Sequence, residues 1–181
     1  MSNLTKVTTG KVRLSYANLN EPKSINGGEA KYSASIIIPK NDTKTIDAIN
    51  AAVDSAIQDG IGKFGGKAPN KAAIKLPLRD GDVEREGDEA YANSYFLNAN
   101  SKTKPGIVDY PNCNEILDTA EIYSGIYARV SLSFYAFNSN GNKGVAVGLQ
   151  NVQKLADGEP LGGKSNPTDD FATAIDDEFL S

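Results

Sequence analysis

From residue 125 to residue 137 the chain alternates without a break. Ile126, Ala128, Val130, Leu132, Phe134 and Ala136 hold one parity, and Tyr127, Arg129, Ser131, Ser133, Tyr135 and Phe137 the other. A period of two belongs to an extended strand, so the first set is expected to face a core and the second the opposite side. Asn138-Ser139-Asn140-Gly141-Asn142 then reads as a hairpin loop into a strand over 145–152, weakened by Gly144 and Gly148. Near the start, Val12, Leu14 and Tyr16 alternate with Lys11, Arg13 and Ser15, which predicts a strand over 7–16. Residues 31–38 predict its neighbour, closed by Pro39, with Asn20-Glu21-Pro22 and Asn26-Gly27-Gly28 in the connection. The period then changes. Ile46, Ile49, Val53 and Ile57 recur at helical spacing over 42–58, with Asp or Thr placed to cap the start and Gly60 to end it. One more short strand is predicted over 94–99.

Several strands, one prominent helix after the second and a closing hairpin fit a mainly β protein, an OB-like Greek-key barrel of five or six strands. A doubly wound sheet would need helices between successive strands. Residues 1–156 are expected to form one barrel domain, 157–167 a Gly/Pro-rich linker and 168–181 a disordered or weakly ordered acidic tail. No apolar run approaches the roughly 18 residues that would cross a bilayer. The lone Cys113 and the start Met1-Ser2-Asn3-Leu4-Thr5-Lys6, which has no apolar signal core, fit a cytoplasmic protein, in the host cytoplasm if phage-encoded.

Charge changes this picture most. Residues 1–156 hold 18 Lys+Arg against 16 Asp+Glu, whereas 157–181 hold 1 against 7. The body is mildly basic and the end strongly acidic. In the tail Asp169, Asp170, Asp176, Asp177 and Glu178 accompany Phe171, Ile175, Phe179 and Leu180. Such a segment resists collapse, attracts basic surfaces and offers a partner apolar anchors.

Candidate chemistry divides into a ring set and a cation set. Tyr127, Arg129 and Tyr135, joined by Tyr95, could present ring faces and a cation to unpaired bases, which stack on aromatics for about 1–3 kcal/mol each with little regard to sequence. Ordinary packing under a loop is the competing reading for any one ring. Lys63, Lys67, Lys71, Lys75 and Arg79 form a band with no acid between Asp59 and Asp80. Gly65-Gly66, Pro69 and Pro77 forbid a continuous helix there, leaving a basic loop suited to phosphates or simply solvated. Lys102 and Lys104 are similar candidates.

Two motifs mislead. Gly158-Glu159-Pro160-Leu161-Gly162-Gly163-Lys164-Ser165 matches the phosphate-loop formula, but no room follows for the helix whose N–H groups would hold phosphate. Asp80 to Glu89 resembles a calcium loop, but Arg85 stands at the glycine position and Tyr91 at that of the bidentate Glu. With no His, no paired Cys and no nucleophile beside a base, binding is the economical expectation, with no enzyme activity, cofactor or metal. A structural or assembly protein with a docking tail, and a carboxylate-metal nuclease, remain as alternatives.

Four strings, in this order, carry a family likeness: Arg79-Asp80-Gly81-Asp82; Ser94-Tyr95-Phe96-Leu97-Asn98-Ala99 leading to Lys104-Pro105-Gly106-Ile107-Val108-Asp109; Ser124-Gly125-Ile126-Tyr127-Ala128-Arg129-Val130; and the run from Asn142 to Lys154. With the Asp169-Asp170-Phe171 to Phe179 ending, the chain resembles the single-stranded DNA-binding proteins of tailed bacteriophages. The resemblance implies an OB fold, sequence-independent coating of single strands in replication, recombination and repair, and a tail that recruits polymerase, helicase or nuclease. No membrane partner is expected, and monomer and homo-oligomer both stay open.

Overall fold

A computed structural model describes residues 2–24 and 27–161. The strands are β1 (Lys6–Thr8), β2 (Val12–Lys23), β3 (Lys31–Pro39), β4 (Arg79–Asp80), β5 (Ser94–Ser101), β6 (Gly106–Val108), β7 (Tyr127–Ser139) and β8 (Asn142–Ala156). The helices are α1 (Thr43–Asp59) and the single turn α2 (Gly81–Glu84), with short 3-10 turns between.

Pairing closes a five-stranded cycle. β2 lies antiparallel to β3, β3 to β5, and β7 to both β8 and β2, while β5 meets β8 in parallel at Asn100↔Gly148. This is the OB-like Greek-key barrel expected from the pattern, with α1 inserted after its second strand. Along β7, Ile126, Ala128, Val130, Leu132, Phe134 and Ala136 are all buried, so that parity does face the core. The hairpin turn is tighter than the predicted loop: Asn140 and Gly141 both take positive φ, as a two-residue turn between twisted strands requires.

α1 starts and stops where the sequence puts it. Asp42 accepts from the Thr45 N–H at 3.2 Å, and Ile49, Val53 and Ile57 enter the core. Gly60 ends it for a packing reason, since its φ is −103° and a methyl there would collide with the Ala136 side chain on β7.

The predicted strand over 7–16 differs in two respects. It divides at Gly10, whose N–H donates to Thr45 Oγ1 at 3.0 Å, so that β1 and β2 take successive stretches of β7. Within β2 the register advances from Ser15↔Ser35 to Asn18↔Ser33, one extra residue on the β2 side. That is a β-bulge, and it moves the core parity from Val12 and Leu14 to Ala17 and Leu19. Tyr16, read from the alternation as core-facing, is therefore turned out and is 59% exposed.

Candidate nucleic-acid interface

The outer side of the barrel carries a row that crosses five strands. Register aligns Tyr127 with Arg13, Arg13 with Ile37, Ile37 with Phe96, and Phe96 with Arg79. All have the parity opposite to the core. Ile37, Phe96 and Tyr91 make a small apolar cluster outside the barrel, with Tyr91 edge-on to Phe96 at 5.0 Å and its hydroxyl donating to Ser35 Oγ at 3.0 Å. Beyond it the register runs through Ser15, Ser35 and Asn98, of which both serines are buried, and then through Asn18, Ser33 and Asn100, which carry the surface on with small polar side chains.

Tyr127 is the best-equipped ring of the row. Lys11 Nζ stands 4.8 Å and the Arg13 guanidinium 5.4 Å from its centroid, beside an open groove of about 330 Å³. Arg13 is held by carbonyls alone: Nε donates to Gly125 O at 3.1 Å and Nη2 to Glu159 O at 2.6 Å. Its charge is thus not cancelled by a carboxylate among the described residues. The alternation over residues 11–16 shows Lys11 and Arg13 only as polar positions, and the β2–β7 pairing that sets Arg13 against Tyr127 has no local signal.

The other candidate residues are dispersed. Tyr135 is 47% exposed, eight residues along β7 from Tyr127, or about 26 Å of extended chain. It lies opposite Ala146 at the hairpin end, where the basic loop also arrives. Lys75 exchanges backbone hydrogen bonds with Lys143 and Val145 at 2.9 Å, and Lys63 Nζ donates to Ala136 O at 3.0 Å. Arg129 is exposed on β7, with its Nε donating to Thr9 O at 3.3 Å. Tyr95 shares the core parity of Ile38 and Leu97, so it sits on the opposite side of β5 from Phe96, below Lys40 at 5.2 Å. The structure does not bring Tyr95, Tyr127 and Tyr135 together.

Ion pairing sorts the cations further. Lys71 pairs with Asp54, Arg79 with Glu84 at 2.8 Å and Lys102 with Glu29 at 3.5 Å. Among the described residues Lys63, Lys67, Lys75 and Lys104 have no carboxylate in ion-pair reach. The calcium-like segment is a capped helical turn: Asp80 accepts from Asp82 N, and both carboxylates grip Lys40, at 2.9 and 2.8 Å. The Lys40 ammonium, with the Asn93 N–H behind it, holds Asp82 below the ordinary carboxylate value, and the two acids in turn raise Lys40. Among the described residues no cluster of three or more His, Cys, Asp or Glu side chains is placed to hold a metal.

Past β8 the chain turns back over this surface. Leu161 N–H donates to Ser124 O at 2.9 Å, and its side chain packs against the Ile37–Tyr91–Phe96 cluster. Asp157 is anchored by Lys154 Nζ at 2.6 Å and the Tyr123 hydroxyl at 3.0 Å, and both contacts lower its pKa. The tail candidates Asp169, Asp170, Phe171, Ile175, Asp176, Asp177, Glu178 and Phe179 lie outside the described residues, as does the end of the phosphate-loop-like string. No helix among the described residues is long and apolar enough to cross a membrane.

Comparisons with known proteins agree with this architecture. The p50 protein of Acyrthosiphon pisum secondary endosymbiont phage 1 is 32% identical over 188 residues, covering 97% of this chain and 99% of that one. The single-stranded DNA-binding protein of bacteriophage Enc34, solved with ssDNA, superposes with a TM-score of 0.77 at 23% identity, over 88% of this chain and 91% of that one. Gp2.5, the single-stranded DNA-binding protein encoded by bacteriophage T7, follows with a TM-score of 0.63 at 17% identity, over 95% of each chain. The family described as Enterobacter phage Enc34, ssDNA-binding protein, matches residues 5–180, and the chain belongs to that family.

Proposed function

We propose that this protein binds single-stranded DNA without regard to sequence, coating and protecting it during phage DNA replication, recombination and repair, and that it is a binding protein rather than an enzyme. The observation that carries this reading is the half-buried Tyr127 ring, with Lys11 and Arg13 both close to it, beside an open groove on the outer side of the barrel. A ring flanked by cations offers stacking to any base and charge to any phosphate. Beyond it the short side chains of Asn18, Ser33, Asn98 and Asn100 leave room for a strand to lie across β2, β3 and β5. Farther along, Lys63 and Lys75 near the hairpin end of β7, together with Lys67 and Lys104, supply phosphate contacts to a longer strand, with Tyr135 and Arg129 on β7. Lys71, Arg79 and Lys102 join once a phosphate competes with their exposed carboxylate partners.

The acidic tail competes with DNA for the same face and, once displaced, recruits polymerase, helicase or nuclease. Its root supports this, because residues 157–161 already cross the face beside Arg13. The host cytoplasm is where such strands occur. The test is fluorescence anisotropy of labelled oligo(dT) and of a duplex of equal length over a salt series. Tight, salt-dependent binding of the single strand with weak binding of the duplex is expected, and equal affinity for both would overturn the reading.

A further inference from the structure

We propose that Tyr16 and Arg85 form an additional DNA-contact site, in which an unpaired base stacks on the outer face of the Tyr16 ring and the Arg85 guanidinium holds the adjoining phosphate. The inference rests on the single-stranded DNA reading above and adds to it a place that the sequence pattern concealed.

Three observations converge here. The first is backbone. Tyr16 has φ +46°, the left-handed region that a residue bearing a Cβ disfavours, and it is the extra residue of the β2 bulge. The bulge turns a large ring out of the barrel on the strand that carries Arg13. Such rings on irregular backbone are found where a side chain has to be aimed.

The second is the cation. Arg85 lies in the most acidic stretch of the barrel domain, with Asp80, Asp82, Glu84, Glu86, Asp88 and Glu89 all within five residues. Its guanidinium nonetheless makes no ion pair with any described residue. It stands 5.5 Å from the Tyr16 ring centroid, 5.3 Å from that of Tyr91 and 5.5 Å from that of Phe96. Asp80 and Asp82 are engaged by Lys40 and Glu84 by Arg79, which removes three of the nearby acids as partners. A guanidinium over aromatic rings carries its N–H donors in its own plane, where an anion at its edge can accept from them.

The third is position. Phe96, under Arg85, belongs to the same cross-strand row as Arg13 and Tyr127, and Tyr16 follows Arg13 by three residues, about 10 Å. One strand can therefore pass both stacking sites on one side of the barrel. Base and phosphate together use a ring and a cation side by side, and the cross-strand row that leads from here to Arg13 and Tyr127 is why nucleic acid is the assigned occupant over an acidic peptide.

Tyr16→Gly separates this role from a structural one. Glycine adopts positive φ freely, so the variant should melt at or above the wild-type temperature while its oligo(dT) affinity falls about 5- to 150-fold, the equivalent of one lost stacking contact. Tyr16→Phe should stay within about twofold of wild type. Arg85→Gln should lower the slope of log affinity against log salt by about 0.7, one phosphate contact for a single strand. In the full-length protein, ultraviolet crosslinking of 5-iodouracil-substituted oligonucleotide followed by peptide mapping should mark Tyr16. Wild-type affinity in Tyr16→Gly, with crosslinks confined to other rings, overturns the site while leaving the general reading standing. Failure of the wild-type protein to bind oligo(dT) overturns both. Unchanged DNA affinity in Tyr16→Gly and Arg85→Gln with lost affinity for a synthetic peptide of residues 168–181 overturns it in favour of a tail-docking site.

Discussion

Tyr127 and Tyr135 have the same parity on the same strand but different surroundings, and the difference decides which should matter more for binding. Two cations stand within 5.4 Å of the Tyr127 ring centroid, whereas no cation stands over the Tyr135 ring among the described residues. Tyr127→Ala should therefore weaken oligo(dT) binding by about 1–3 kcal/mol, and Tyr135→Ala by less, in parallel anisotropy titrations at fixed salt. Equal losses would mean that both rings are stacking platforms of one continuous path. Acid titration addresses a different set of residues. Asp82 is held below its ordinary pKa by Lys40 and the Asn93 N–H, and Asp157 by Lys154 and the Tyr123 hydroxyl. In both cases the folded state releases the proton more readily than the unfolded chain. The stability these contacts add is complete above the unfolded carboxylate pKa and is lost as pH falls through the lower folded value. Asp82→Asn should flatten the acid side of a plot of melting temperature against pH and leave the neutral side nearly level. Lys40, raised by the same pair, holds its share until pH climbs through its own folded value, on the alkaline side. At this scale the sequence was legible where a residue obeys its element's period, as Val130 and Leu132 do. It was not legible at Tyr16, where one inserted residue inverts the parity and nothing in Leu14-Ser15-Tyr16-Ala17-Asn18 announces the insertion.

The elements differ in how far their causes are local. α1 carries its own start and stop, so the sequence placed it within a residue: Asp42→Ala should cost about 0.5–2 kcal/mol in urea unfolding, the usual worth of a side-chain cap. β7 announces itself through strict alternation from Tyr127 to Phe137. The basic loop is the opposite case. Its lysines are visible in the sequence but its anchorage is not, because it depends on Lys75 bridging Gly144 from a strand almost seventy residues further on. Gly144 serves that contact directly, since a methyl there would run into the Lys75 carbonyl and side chain. Gly144→Ala should detach the loop, so that a lysine-specific protease cuts after Lys67, Lys71 or Lys75 faster than in wild type. Any loss of DNA affinity in that variant should be greatest at low salt, where the loop's phosphate contacts count most. The predicted single strand over 7–16 failed for a related reason, as the kink at Gly10 is fixed by Thr45 of α1 and not by its neighbours.

For the whole molecule the barrel's closure and the charge division act together. The parallel β5–β8 contact closes the cycle between segments about fifty residues apart, and no hairpin signal could reveal it. Closure also fixes the exit of the chain: after β8 residues 157–161 are drawn back across β2, with Glu159 O on Arg13 and Leu161 against the Ile37 cluster. The last described residue before the acidic end, Leu161, thus lies on the face that the proposed DNA path uses. Twenty residues follow Leu161, enough at roughly 3.3 Å each to reach any point of the face. An attached anionic segment competes at an effective concentration that a free peptide reaches only in the millimolar range. Removing residues 168–181 should consequently raise oligo(dT) affinity, and most strongly at low ionic strength, because the Debye length shrinks from about 30 Å at 0.01 M to about 10 Å at 0.1 M. As salt increases, the affinities of the full-length and shortened chains should converge. The sign of the effect separates competition from mere solubilisation, since a tail that only keeps the protein dispersed would leave affinity the same in both chains at every salt. Reciprocity adds a second reading of the same device: a partner that grips the tail should tighten DNA binding by the factor that deletion does, and DNA should tighten the partner's hold equally.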